Sequence, residues 1–250
     1  MRQGCGGALV GSKYVITASH CTDGLSPGDL MIRVGDTTFD EEFEAESYTY
    51  SVASITNHPN YNGATLKNDI AVVELASSVP LDKYPHIKPV CLPDAGATFV
   101  GDAVVSGWGS VNVDINSITM NSWLHEVDVN VFADGDCGSW NGQMTADMIC
   151  AGVKEGGKNS CRGDSGGPLI ASDPMRNGAM SLIGVVSFGF GCGDPDYPGV
   201  YAEVSHFITW LNQQMPDLIT CPAPPSTPTT TMEPEEGMII IFLGTFPYDF

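Results

Sequence analysis

Short runs of apolar and β-branched residues, separated by turn-forming residues, recur along the chain. The first two runs, 8–10 and 14–17, are split by a Gly-Ser-Lys turn, and this pattern predicts a β-hairpin. Residues 125–131 alternate cleanly between polar and apolar side chains, and 182–188 and 200–204 are further strand candidates. Because the runs are short and no helical pattern lies between them, the sequence predicts an all-β fold.

One helix and a tail are predicted at the C-terminal end. Apolar side chains recur at helical spacing within 205–215, and Ser205 is placed to cap the first turn. Residues 217–250 then change in composition and become rich in proline and threonine. Because such a composition cannot build a core, we expect this low-complexity tail to be extended and disordered.

Composition and charge narrow the expected partners. The chain has 250 residues, of which 42% are apolar, enough for one large all-β domain or two small ones. The formal net charge of −20 would repel phosphate backbones and anionic lipid surfaces, so nucleic acid and membrane are not expected partners. The longest apolar run near the end, 238–243, is too short to span a bilayer.

Residues 36–46 are a candidate cation site, because they hold six acidic side chains: Asp36, Asp40, Glu41, Glu42, Glu44 and Glu46. Clusters of carboxylate oxygens bind hard cations such as calcium. The spacing does not match an EF-hand, so a solvated acidic loop is the favoured interpretation and calcium the alternative. No other metal or cofactor is expected.

The eight cysteines indicate where the protein works. None of them forms a Cys-x-x-Cys pair of the kind that binds metals, so disulfides and an oxidising compartment are expected. No apolar leader follows Met1. We therefore expect a secreted protein whose sequence here begins inside a longer precursor.

The candidate chemistry is centred on residues 159–168, Asn-Ser-Cys-Arg-Gly-Asp-Ser-Gly-Gly-Pro. Their glycines allow backbone N–H groups to converge beside the Ser165 hydroxyl and form an oxyanion hole. A serine hydroxyl also needs a base and a group that orients the base. His20 lies beside Cys21 at the end of an apolar run, and Asp69 lies where a buried strand is predicted to begin.

In the order His20, Asp69, Ser165, these three motifs resemble the chymotrypsin/trypsin-like serine peptidases over residues 4–215. The resemblance implies two antiparallel six-stranded β-barrels with the active site in the cleft between them. The peptidase domain would span 1–216, with barrel one at about 1–100, barrel two at about 101–204 and the C-terminal helix at 205–215. The family has a further strand ahead of the cysteine equivalent to Cys5. Barrel one is therefore expected to lack its N-terminal strand and to carry an unpaired edge.

The resemblance also implies the role of each candidate. Ser165 would be the nucleophile, His20 the general base and then acid, and Asp69 the group that orients the imidazole. The N–H groups of Gly163 and Ser165 would bind the oxyanion. Asp164 would pair with a proteolytically freed N-terminal ammonium. Because the sequence contains no such segment, we expect the chain as given to be inactive.

Three disulfides are implied by the same resemblance: Cys5–Cys21, Cys137–Cys150 and Cys161–Cys192. Cys91 and Cys221 are left over. In family members with a retained pro-segment, the equivalent of Cys91 bonds to that segment. Cys91 is therefore expected to pair either with preceding chain or with Cys221, the second being the less favoured pairing.

The resemblance places the primary specificity pocket at Asn159, Ser187, Gly189 and Gly199. Trypsin-like members have an aspartate where this chain has Asn159, and a buried cation left without a partner costs several kcal/mol. Preference for an apolar or neutral side chain before the scissile bond is therefore predicted. Asp194 and Asp196, on a nearby loop, keep a basic preference open as the alternative.

Three functions are compatible with these residues. The favoured one is a secreted serine endopeptidase, expected to be a monomer that acts on protein or peptide substrates and is bound by protein inhibitors. The second is a catalytically incompetent homologue or fragment that acts as a binding or regulatory module. The third is an esterase. The complete His, Asp and Ser set favours the first, because a binding module has no physical need for it.

Overall fold

The computed structural model describes residues 2–38, 47–112, 121–218, 221 and 240–245. Within these ranges the chain forms twelve strands and two α-helices, which in chain order are β1 (Arg2–Val10), β2 (Tyr14–Thr17), α1 (Ser19–Thr22), β3 (Leu30–Val34), β4 (Tyr48–Asn57), β5 (Ala71–Leu75), β6 (Gly101–Gly107), β7 (His125–Val131), β8 (Met148–Gly152), β9 (Pro168–Asp173), β10 (Ala179–Phe188), β11 (Gly199–Glu203), α2 (Val204–Gln214) and β12 (Ile240–Thr245).

The strands form two closed antiparallel barrels of six strands each. The order around barrel one is β1, β12, β3, β4, β5 and β2, and the order around barrel two is β10, β11, β8, β7, β6 and β9. The predicted all-β class with two six-stranded barrels and a C-terminal helix is thus confirmed.

Each barrel has its own apolar interior, and a third cluster joins the two. Leu9, Val15 and Ile32 are fully buried inside barrel one, while Leu169 and Tyr201 are fully buried inside barrel two. The third cluster combines side chains of β2, β5, β10 and α2: Ile16, Val72, Leu182, Val185, Phe207 and Leu211. Strand β2 is buried along its whole length because its two faces serve different clusters. This packing fixes the cleft between the barrels.

Helix α2 begins one residue before the predicted start. Its N-cap residue is Glu203, and no side chain caps the first turn. The predicted capping role of Ser205 is therefore wrong, because this residue already lies inside the helix, where its hydroxyl donates to Glu203 Oε1 at 3.2 Å. Of the residues that the structure describes, neither helix is long and apolar enough to cross a membrane.

Strand β12 closes barrel one from the C-terminal tail. It pairs with β1 from Arg2 to Ala8 on one edge and with β3 from Leu30 to Arg33 on the other, antiparallel in both cases. The predicted unpaired edge is therefore filled, and the prediction of a disordered tail is wrong for these six residues. The physical reason lies in the segment itself, since Ile-Ile-Phe-Leu-Gly-Thr is a strand-forming sequence next to an exposed strand edge.

All eight cysteines are paired. Three disulfides are those that the resemblance implies, Cys5–Cys21, Cys137–Cys150 and Cys161–Cys192. The fourth joins Cys91 to Cys221, the pairing that the sequence favoured less. It fixes the base of the tail to the loop that connects the two barrels.

Candidate active site

His20 and Asp69 are joined by two hydrogen bonds. His20 lies in α1, directly after β2, and Asp69 lies two residues before β5, the strand that pairs with β2. The backbone N–H of His20 donates to Asp69 Oδ1 at 2.8 Å, and His20 Nδ1 lies 2.7 Å from Asp69 Oδ2. Asp69 is only 1% exposed, so its carboxylate depends on such donors. The contact fixes Nδ1 as the protonated ring nitrogen and leaves Nε2 to act as a base.

Ser187 is a third partner of this pair, which the sequence analysis missed. Its hydroxyl donates to Asp69 Oδ2 at 2.6 Å. The sequence placed Ser187 in the specificity pocket, where its backbone still borders Phe188 and Gly189. The serine side chain itself supports the carboxylate. No local signal could reveal this contact, because 118 residues separate the two partners.

The glycine-rich loop of residues 159–168, here called the Ser165 loop, is held between the two barrels. From barrel one, the Gly6 N–H donates to the Ser165 carbonyl at 2.7 Å. From barrel two, the Gly166 N–H donates to the carbonyl of Val186, the residue next to Ser187, at 2.8 Å. A Cβ on Gly166 would collide with Thr17 Oγ1 and Gly6 O and would lie 3.2 Å from Cys21 Sγ. The loop therefore lies against the residue that follows His20.

The hydroxyl of Ser165 and two backbone N–H groups remain available to a substrate. Among the described residues, the Ser165 hydroxyl makes no hydrogen bond, and the N–H groups of Gly163 and Ser165 have no protein acceptor. Gly163 has a φ of +100°, a conformation that side chains with a Cβ rarely adopt. Two unpaired donors beside a serine hydroxyl are the arrangement that an oxyanion hole requires.

Asp164 is a buried carboxylate next to this loop. Its Oδ1 accepts the Gly109 N–H and its Oδ2 accepts the Cys161 N–H, both at 2.8 Å. Burial raises the pKa of Asp164, and the two backbone donors offset only part of that effect. No lysine or arginine of the described residues forms an ion pair with it.

A cavity of about 240 Å³ lies beside Asp164, with a lining that includes Ser106, Gly107, Gly109, His125 and Asn159. Glycine is required at two of these positions. A Cβ on Gly107 would overlap Asp164 Oδ1, and one on Gly109 would lie 2.5 Å from Asp164 Cγ. The cavity thus offers a group of a few atoms direct access to a buried carboxylate.

Asn159 has its amide orientation fixed by neighbouring donors. Asn159 Oδ1 accepts the Ser160 N–H at 2.8 Å and the Tyr201 hydroxyl at 3.3 Å. Because a backbone N–H can only donate, the oxygen must face Ser160. The Asn159 amide nitrogen donates to no acceptor among the described residues. It can therefore donate to a substrate.

The two glycines predicted to line the pocket lie opposite each other. A Cβ on Gly189 would lie 4.0 Å from Gly199 Cα, and a Cβ on Gly199 would collide with Asn159 Oδ1. The absence of side chains at both positions keeps the space above Asn159 open. Asp194 uses its Oδ1 to accept the Asp196 N–H at 2.9 Å, a contact within its own loop.

Of the six acidic residues in the candidate calcium loop, the structure describes the first. Asp36 is buried and forms an ion pair with Arg33, with 2.5 Å between Oδ2 and Nε. That contact uses the carboxylate for a structural role. Asp40, Glu41, Glu42, Glu44 and Glu46 lie outside the described residues.

One other cluster of potential metal ligands occurs among the described residues, formed by Cys5, His20 and Cys21. The two cysteines are bonded to each other. A disulfide has no thiolate to offer a metal ion, so this cluster is not a metal site.

Comparison with known proteins extends these observations along the chain. A family model described as Trypsin matches residues 1–211. Trypsin-1 from Astacus astacus is 39% identical over 212 residues, which cover 83% of this chain and 86% of that protein. Serine protease 1 from Rattus norvegicus is 38% identical over 208 residues, 83% of this chain and 78% of the relative. A trypsin from Sus scrofa is 37% identical over 210 residues, 84% of each chain.

Proposed function

We propose that this protein hydrolyses peptide bonds through an acyl-enzyme formed on Ser165. The proposal starts from the fact that the chain belongs to the trypsin family of serine endopeptidases. Ser165 Oγ attacks the scissile carbonyl carbon while His20 Nε2 takes the hydroxyl proton. His20 then gives this proton to the leaving amine as the C–N bond breaks. A water molecule, deprotonated by His20, hydrolyses the ester, and the proton returns to Ser165.

The contact between His20 Nδ1 and Asp69 Oδ2, 2.7 Å long, is the observation that carries this proposal. It holds the imidazole in the tautomer that can accept a proton at Nε2, and the Asp69 carboxylate stabilises the imidazolium that forms. The buried donor Ser187 supports the same carboxylate oxygen. The free N–H groups of Gly163 and Ser165 would stabilise the oxyanion by about 3 kcal/mol per donor.

For specificity, we propose that an apolar or neutral polar side chain precedes the scissile bond. Asn159 carries no charge, so a lysine or arginine in the pocket would lose its water without gaining an ion pair. The free amide nitrogen of Asn159 suits a substrate group that accepts a hydrogen bond. The alternative basic preference would require Asp194 or Asp196 to reach the pocket, and the one contact that either carboxylate makes among the described residues is within their own loop, from the Asp196 N–H to Asp194 Oδ1.

For activation, we propose that Asp164 accepts an ammonium group in the adjoining cavity. The buried carboxylate has a raised pKa and no cationic partner among the described residues, and the cavity of about 240 Å³ admits a terminal amine and its first side chain. An ion pair there would hold the loop that carries Gly163 and Ser165. Four disulfides support a place of action outside the cell.

A serine-directed fluorophosphonate tests the proposed function. With a peptide that has a free Ile-Val N-terminus present to fill the cavity at Asp164, we expect labelling of Ser165 alone, and no labelling and no peptide hydrolysis in Ser165→Ala. Ser77→Ala is the matched control, because Ser77 is exposed on a loop away from the site and its loss should change neither readout. Labelling of another serine, or unchanged hydrolysis in Ser165→Ala, contradicts the assignment.

The alternative function, an incompetent homologue that binds without cleaving, makes a different prediction in the same assay. Neither labelling nor turnover would then appear with the full chain, even after a peptide with a free Ile-Val N-terminus is added to fill the cavity at Asp164. The N-acetylated peptide is the control, because it has the same shape without the charge. Activity that depends on the free amine supports the endopeptidase and its activation together.

A further inference from the structure

We propose that β12, the strand from the C-terminal tail, positions the Ser165 loop and that full turnover requires it in the groove between β1 and β3. The inference rests on the proposed function for its activity readout only. It concerns a segment, Ile240–Thr245, that lies beyond the residues matched by the family model.

The first step is the contact between β1 and the nucleophile. The Gly6 N–H donates to the Ser165 carbonyl at 2.7 Å, and the Gly6 carbonyl accepts the Thr17 hydroxyl at 2.8 Å. A Cβ on Gly6 would lie only 3.0 Å from Gly167 Cα. The backbone of β1 therefore touches the loop that carries the nucleophile, with no side chain between them.

The second step is that β12 holds the opposite edge of the same residues. Gly6 is in register with Phe242, Cys5 with Leu243 and Gly7 with Ile241. Successive N–H groups of a strand point to opposite edges, so while Gly6 donates to Ser165, its neighbours face β12. Cys5 is also bonded to Cys21, next to His20. Strand β1 thus lies between β12 on one side and both Ser165 and the His20 turn on the other.

The third step concerns the other edge of β12. Four residue pairs join it to β3, from Phe242 with Arg33 to Thr245 with Leu30. Without β12, strands β1 and β3 would each lose a hydrogen-bonding neighbour, and the backbone groups on those two edges would be exposed to water. A strand that has lost one ladder moves more readily, and displacements of about 1 Å at a nucleophile cost on the order of a hundredfold in rate.

The connection between β12 and the rest of the chain is long. Cys221 is fixed to Cys91 by a disulfide, and eighteen residues, 222–239, separate it from Ile240. An extended segment of that length reaches about 60 Å at most. If this connection is cut, β12 is no longer covalently linked to the disulfide-bonded body, so the strand can be exchanged for a peptide that forms the same backbone pairs with β1 and β3.

The experiment uses the full chain, folded first and cut afterwards. A recognition sequence for a site-specific viral cysteine protease replaces residues 228–231, and the connection is cut after folding. Removal of the strand, verified by mass spectrometry, is expected to lower kcat between about tenfold and a hundredfold with little change in KM. A synthetic peptide of residues 238–247 should restore kcat, whereas the same peptide with Leu243→Pro should not, because proline removes a ladder donor. Unchanged kcat after the strand has left would overturn the proposal.

A second variant covers the case in which the cut strand does not dissociate. Leu243→Pro in the uncut chain should reduce kcat in the same way, and Thr230→Pro, in the connecting segment, is the matched control and should not. Full turnover of Leu243→Pro contradicts the proposal.

Hydrogen exchange provides a readout that does not depend on catalysis. Loss of β12 should speed exchange at the Gly6 N–H and at the bonded N–H groups of the Ser165 loop, those of Asp164, Gly166 and Gly167, while amides in β10 keep their protection. If the intact chain, with the free Ile-Val peptide present, neither turns over nor reacts with the fluorophosphonate, the proposed function has failed, and exchange still decides the role of β12. Unchanged exchange at Gly6 after the strand is lost would refute it.

Discussion

Ser187 donates its hydroxyl proton to Asp69 Oδ2 over 2.6 Å, across the cleft from one barrel to the other. The same oxygen lies 2.7 Å from His20 Nδ1. Ser187 follows Val186, whose carbonyl accepts the Gly166 N–H. Strand β10 therefore supports both the Asp69 carboxylate and the Ser165 loop. The packing of the two barrels thereby sets the distance between base and nucleophile.

Ser187→Ala is expected to lower kcat about tenfold, a fraction of the roughly 10²–10⁴-fold that a positioned base supplies. It should also lower the free energy of unfolding by about 1–3 kcal/mol, because a buried carboxylate loses a donor. The matched control is Ser181→Ala on the same strand, whose hydroxyl donates to Asp173 Oδ2 at 3.2 Å. It should lose comparable stability and keep its kcat. Equal kcat losses in the two variants would contradict a special role for Ser187.

Asn159→Asp is expected to shift cleavage toward lysine and arginine. The Ser160 N–H and the Tyr201 hydroxyl, which now contact Asn159 Oδ1, would stabilise the new carboxylate, and the carboxylate would pair with the substrate cation. We expect kcat/KM for arginine substrates to rise at least about tenfold, while the wild type prefers Phe, Tyr, Leu or Met over Lys or Arg by a similar factor. Peptide-library profiling of both proteins, with Asn159→Ala as the uncharged control, measures this. A wild-type profile dominated by basic residues would contradict the proposed preference for apolar or neutral side chains.

The residues of the candidate site could be found in the sequence because each lies in a local motif. His20 follows a strand, Asp69 precedes one, and Ser165 lies in a glycine-rich turn, so short-range patterns identify all three. The contacts that hold them were not predictable in this way. Ser187 reaches Asp69 only because two barrels pack together, and no pattern within either segment records that contact.

Long-range contacts limit the prediction of the fold in the same way. Alternating patterns and turn residues are sufficient to predict short strands, and the family resemblance of the three motifs implies two barrels. The place of Ile240–Thr245 depends on the unpaired edges of β1 and β3, which are more than 200 residues earlier in the chain. A six-residue apolar run after a proline-rich segment gives no information on where it binds. Cys221 likewise shows its partner only when the tail is placed beside Cys91.

The raised pKa of Asp164 predicts that the stability of the folded protein depends on pH. Burial raises the pKa of this carboxyl in the folded state above its unfolded value. The folded protein therefore binds the proton more tightly, so the contribution of Asp164 to stability is fully present below the unfolded pKa and is lost as pH rises through the folded pKa. Asp164→Asn cannot titrate. Relative to wild type, this variant should gain free energy of unfolding as pH is raised from about 3 to 7. Denaturant unfolding across this range measures the difference, and a constant difference at all pH values would refute the shift.

Gly109→Ala tests whether the placement of Asp164 controls the nucleophile loop. The new methyl carbon would lie 2.5 Å from Asp164 Cγ, closer than any unstrained contact, so the carboxylate must move away from the Gly109 and Cys161 N–H groups. Because Asp164 directly precedes Ser165, its displacement should disturb the Gly163 and Ser165 donors. We expect fluorophosphonate labelling and kcat to fall between about tenfold and a hundredfold. Gly28→Ala is the control, since a Cβ there meets no atom within 4 Å. Gly109 has no positive φ, so any loss of labelling and kcat in Gly109→Ala is assigned to the steric contact with Asp164. Wild-type labelling in Gly109→Ala would show that the Ser165 loop does not depend on Asp164.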